Sequence, residues 1–152
     1  GFEPVIPSDA EDAVIRKLFV NIGINAVCAL NDCANRFISE NPEMRRYSRQ
    51  LIDEAVAVFE AAGRSYDGEK IWEHVESVAK AARAARDGAH GVFGVHLAEF
   101  LRRSLVGRGV AVAEDHPLGI VVQLADERNI AAPFNREITQ KIENISLKKS
   151  RS

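Results

Sequence analysis

Lys17, Asn21 and Asn25 stand four residues apart in an otherwise apolar stretch, Lys17-Leu18-Phe19-Val20-Asn21-Ile22-Gly23-Ile24-Asn25. On an α-helix, four-residue steps advance about 40° around the axis, so the three side chains form one narrow stripe. Leu18, Phe19, Val20, Ile22, Ile24, Ala26 and Val27 cover most of the remaining circumference. A surface helix usually has a broad polar face and an apolar stripe; here the proportions are reversed. Burying an amine and two carboxamides without partners is costly. A polar seam on such a helix therefore points to a wet or ligand-filled crevice. Desolvation against apolar neighbours eases loss of an ammonium proton, as a proton donor working near neutrality requires. An equally good account has Lys17 snorkelling to solvent and the asparagines satisfying nearby backbone groups.

The elements that would position this seam are helical throughout. Ser8, with Glu11 three residues on, makes a capping-box pattern. The first helix is expected from about Asp9 to Asp32, with Gly23 inside it at a cost of about 1 kcal/mol relative to Ala. A polar break at Asn31 to Asn35 ends it. Asn41-Pro42 opens a second helix over about 43–62, which presents Leu51, Ile52, Ala55, Val56, Val58 and Phe59 inward and stops at Gly63. A third runs from about Asp67 to Asp87 through Ile71, Trp72, Val75, Val78 and Ala82. After a glycine-rich stretch at 88–94, a fourth spans about 95–106 and breaks at Gly107-Arg108-Gly109, followed by a short extended piece at 110–112. Pro117 opens a fifth, to about Glu127, through Ile120, Val121, Leu124 and Ala125. The sixth, from Pro133 to Ile145, is amphipathic through Phe134, Ile138, Ile142 and Ile145; a basic tail, 146–152, is expected to be disordered. The fold class is all-α, a single domain of about six helices.

Composition narrows the chemistry. At 152 residues the chain can bury one sizeable core. A formal net charge of −2 gives no reason to expect nucleic acid or an anionic membrane as partner. The apolar stretch at 18–30 is interrupted by both asparagines and reads as too short to span a bilayer. Cys28 and Cys33 have neither a redox nor a zinc spacing and read as reduced thiols in or near the core, which fits the cytoplasm. His74, His90, His96 and His116 form no metal motif; His96 and Glu99 share a helix face, but one such pair reads as a surface contact, and no metal is expected. Gly107-Arg108-Gly109 lacks the third glycine of a dinucleotide fingerprint and follows a predicted helix rather than a strand.

Lys17-x-x-x-Asn21-x-x-x-Asn25 followed by Ala29-Leu30, then Gly119, then Ile130-Ala131-Ala132-Pro133-x-Asn135, resembles the C-terminal domain of the ketopantoate reductases (2-dehydropantoate 2-reductases) over roughly residues 12–145. The resemblance implies that Lys17 is the catalytic acid/base and that Asn21 and Asn25 bind substrate. It also implies NADPH as cofactor, bound mainly by an N-terminal Rossmann domain in cis, with residues 1–8 as the linker from it and 9–145 as the substrate domain. The reaction would be reduction of 2-dehydropantoate to pantoate, in pantothenate biosynthesis. The family's substrate-contacting Glu falls on Ala113 when counted back from Gly119; Glu114 is displaced by one residue and becomes the candidate after a one-residue slip. Ser104 is the nearest residue to the family's Ser segment. These departures leave a related 2-oxoacid open as substrate. They also leave open a non-catalytic helical module for dimerisation or partner binding. A homodimer is compatible with either, and this chain without its Rossmann domain is expected to be inactive.

Overall fold

A computed structural model describes residues 8–84 and 117–151 of the chain. Its axis is one apolar rod. Helix α1 (Ser8–Val20), a single π turn (Asn21–Asn25) and α2 (Ala26–Asn31) follow one another without a break. The rod is buried because its side chains are apolar nearly all round: Leu18, Phe19, Ile22, Ile24, Ala26, Val27 and Cys28 all lie in the core. From Asp12 to Asn31 it has the length and apolarity to cross a membrane, longer than the stretch at 18–30 suggested, because the helix also includes 12–17. Half of it is buried against the other helices. Asp32, in the left-handed conformation at φ 48°, ends it.

The remaining elements pack around the rod. The short α3 (Phe37–Glu40), which local sequence did not announce, leads into α4 (Pro42–Ala61). The Asn41 carboxamide oxygen accepts from the N–H groups of Glu43 at 2.9 Å and Met44 at 3.2 Å, and Pro42 occupies the first turn. Gly63, at φ +84°, takes the chain off the helix end. Helix α5 (Gly68–Ala84) is capped by Asp67, whose carboxylate accepts from Glu69 N at 3.1 Å and Lys70 N at 3.2 Å. Helix α6 (Pro117–Glu127) and α7 (Pro133–Ser150) close the far side. Asn129, at φ 55°, turns the chain between them. Among the described residues there is no strand, so the fold is all-α. The predicted fourth helix, the Gly107–Gly109 break, the extended piece at 110–112, Ser104 and Glu114 lie outside the described residues.

The inward faces read from the sequence are inward: Leu51, Ile52, Ala55, Val58 and Phe59 on α4, Ile71, Trp72 and Val75 on α5, Ile120, Val121 and Ala125 on α6, and Ile138 and Ile142 on α7. Phe19, Phe59 and Tyr66 meet as three tilted or edge-on rings with centroids 5.7 to 6.2 Å apart, pinning the rod to the end of α4. One expectation needs correction. The basic segment beyond Ile145 is not a disordered tail but continues α7 to Ser150. Lysines are good helix formers, and their charge suits a helix C-terminus.

Both cysteines are free thiols, Cys28 buried and Cys33 partly so. Burial, and then the neighbouring Cys33, push the Cys28 thiol up to about 12. A neutral thiol is a poor nucleophile. Iodoacetamide at about pH 8 is therefore expected to modify Cys33 in the native protein and Cys28 only after unfolding. Peptide mapping after timed quenching reads this directly; equal rates at the two positions would mean that α2 opens in the native state.

Candidate functional site

The polar seam sits on the rod where its hydrogen bonding changes. Within the π turn the Ala26 N–H donates to the Asn21 carbonyl, five residues back rather than four. Isolated π turns inside α-helices occur frequently at functional sites. Sequence reasoning expected a regular helix here and missed the turn. The signal available was Gly23, an apparently wasteful residue in a helix interior. The structure gives its reason. A methyl group on Gly23 would lie 2.7 Å from Ile52 Cδ1, 3.0 Å from Ser48 Oγ and 3.2 Å from Val75 Cγ1. The rod thus packs tightly on α4 and α5 at the centre of the π turn.

Asn21 is 9% exposed and Asn25 is exposed. The Asn25 Nδ2 donates to the Asn21 Oδ1, so the two carboxamides form a pair along the rod. That bond leaves the Asn21 Nδ2 buried with no acceptor among the described residues. Buried polar atoms nearly always have partners, and each exception calls for a physical reason. Among the described residues the Asn21 N–H is a spare donor on the rod.

Lys17 lies one turn before Asn21, at the end of α1, and its side chain is exposed. Sequence analysis expected all three side chains to enter a crevice. The described elements bury only Asn21. Leu18, Phe19, Ile22 and Ile24 are buried along with Asn21, while Lys17 and Asn25 stay exposed. The desolvation inferred for the amine is not supplied by the described residues.

Ile130 to Asn135, the second mark of the resemblance, proves to be a joint between helices. Pro133 occupies the first turn of α7, and Ala132 before it offers no side-chain cap. The cap comes from α4. The Glu54 carboxylate accepts from Phe134 N at 3.0 Å and Asn135 N at 2.8 Å. Asn135 is fully buried, and its Nδ2 donates to Glu54 Oε1 at 2.8 Å and to the Leu51 carbonyl at 3.1 Å. Gly119, the other mark in this region, is half-buried near the start of α6.

Two other groups of side chains bear on chemistry. Among the described residues, no group of three or more His, Cys, Asp or Glu side chains could hold a metal ion. A cavity of about 490 Å³ between α3, α4 and α5 is lined by Trp72, Arg45, Arg46 and Arg49 among others. Its Arg45 and Arg49 guanidinium groups lie 5.5 Å from the Trp72 ring centroid. They are already engaged by carboxylates, Arg45 by Glu76 at 2.7 Å and Arg49 by Asp53 at 2.8 Å and by Glu69.

An all-α domain built round an apolar helix with a carboxamide edge is the architecture that the resemblance implied. The profile of the family described as ketopantoate reductase PanE/ApbA C terminal matches residues 9–90, and the chain belongs to that family. Among curated proteins it is 31% identical over 138 residues to the 2-dehydropantoate 2-reductase of Halobacterium salinarum, covering 91% of this chain and 41% of that protein. It is 28% identical over 137 residues to the 2-dehydropantoate 2-reductase of Vibrio cholerae serotype O1, covering 90% of this chain and 42% of that one. The chain therefore spans about two fifths of the length of these relatives. No solved structure matches it.

Proposed function

We propose that this chain is the C-terminal, substrate-binding part of a longer NADPH-dependent 2-dehydropantoate 2-reductase, or of a reductase acting on a related 2-oxoacid. The observation that carries the reading is the Asn21 N–H, without a partner among the described residues, nine-tenths buried and tied to Asn25 on the central rod. Membership of the family and the names of the two relatives support it. In this reading residues 1–8 lead in from an N-terminal Rossmann domain, 9–145 form the substrate side, and the enzyme works in the cytoplasm. The described residues contain no strand and no glycine-rich turn to cradle a dinucleotide's phosphates. NADPH would be held by the preceding domain and supplies the hydride when bound.

The work left to this chain is binding and protonation. Asn21 and Asn25 direct carboxamide groups at the hydroxyl and carboxylate oxygens of the substrate. The Lys17 ammonium holds the ketone oxygen, stabilises the alkoxide that develops there and gives up a proton to it. Closure of the N-terminal domain over the open edge supplies the desolvation that the helices alone do not. Glu114 is a fourth substrate-binding candidate.

A hydrogen bond to a charged group contributes about 1.5–3 kcal/mol, so replacing Asn21 by Ala should weaken binding of pantoate to the complete enzyme roughly tenfold or more. Isothermal calorimetry measures this; an unchanged dissociation constant would remove Asn21 from the site. The exposure of Lys17 and Asn25 favours a second reading, a non-catalytic helical module for dimerisation or partner binding. That reading requires pantoate to bind neither the parent nor the variant.

A further inference from the structure

An unbroken α-helix would turn Asn25 about 80° away from Lys17 over eight residues. A π turn spends one more residue on its ring, so it takes most of that rotation back and returns Asn25 toward the line of Lys17. The extra residue has to be accommodated against a neighbour. Here the bare face of Gly23 is what lets the turn seat between Ser48 and Ile52 of α4 and Val75 of α5. Ser48 is fully buried, and its hydroxyl has no partner among the described residues. Such a hydroxyl, 3.0 Å from where a Gly23 methyl would lie, marks a contact shaped for close approach rather than for hydrogen bonding.

We propose that the π turn, seated on α4 and α5 through Gly23, is the device that holds the Asn25 carboxamide on the line of Lys17 and against Asn21. Gly23 is on this view a positioning residue that acts through Asn25. The proposal rests on the substrate-binding reading given above. It adds a specificity determinant that touches no substrate: the reach of the seam is set from behind, by the packing of its backbone on the helical core.

The test is a double-mutant cycle in the complete enzyme, with 2-dehydropantoate and NADPH as probes. Gly23→Ala forces the turn off its seat and should raise KM about tenfold while kcat stays within about threefold. Asn25→Ala should do the same, and the double variant should be no worse than either alone, because one path is broken twice. Multiplied effects in the double variant would show that Gly23 serves the fold only and would overturn the proposal. A different failure is separable: if Asn25→Ala and Asn21→Ala both leave KM unchanged, the substrate-binding reading falls and this inference falls with it. If Gly23→Ala does not fold, Ser48→Thr adds a methyl to the other side of the same contact. It must then show the same coupling to Asn25→Ala, and independence from it would overturn the proposal.

Discussion

Replacing Lys17 by Ala in the complete enzyme is expected to lower kcat by roughly 10²–10⁴-fold, the range over which a positioned general acid contributes. The same change should leave folding almost untouched. Lys17 is exposed, and surface substitutions away from caps, cores and networks usually alter stability by less than about 0.5 kcal/mol. Activity and stability should therefore separate cleanly at this position. Lys17→Arg is the informative companion. It keeps the positive charge, so substrate binding should survive, but a guanidinium does not release its proton near neutrality, so turnover should stay low. Steady-state kinetics and thermal unfolding of the three proteins suffice, and full activity in Lys17→Ala would take the lysine out of the mechanism.

The second large effect concerns stability. Glu54→Ala removes the acceptor for two backbone N–H groups at the start of α7 and for the Asn135 carboxamide. Losing a helix cap costs about 1 kcal/mol, and a buried donor left unpaired costs about 1–3 kcal/mol. A combined loss of about 2–4 kcal/mol is expected, a drop in Tm of roughly 5–15 °C for a domain of this size. Glu54→Gln retains a carbonyl oxygen facing the helix start and should lose about half as much. Chemical denaturation checks the ranking. Equal stability of Glu54→Ala and the parent would mean that water replaces the carboxylate at the head of α7.

What the sequence disclosed follows the range of the forces involved. Asn41-Pro42, Gly63, Asp67, Pro117 and Pro133 act on their own or adjacent residues, and helix boundaries fall beside each of them. The inward faces were legible because burial repeats with the helical period. Three features were not legible, and each depends on a partner distant in the chain. The π turn needs Ser48, Ile52 and Val75 to make sense of Gly23. The cap on α7 comes from Glu54, eighty residues earlier, so Asn135 could be noticed as a mark without its role being visible. The exposure of Lys17 depends on which side of a uniformly apolar helix the others choose to cover, and periodicity carries no information about that choice.

The amine and both carboxamides are mounted on one continuous helical rod whose apolar residues fill the core, so their spacing is set by a stiff element. A site made from surface loops can reshape itself around different guests. One carried on a stiff central shaft presents a fixed template, and the guest rather than the shaft has to do the adapting.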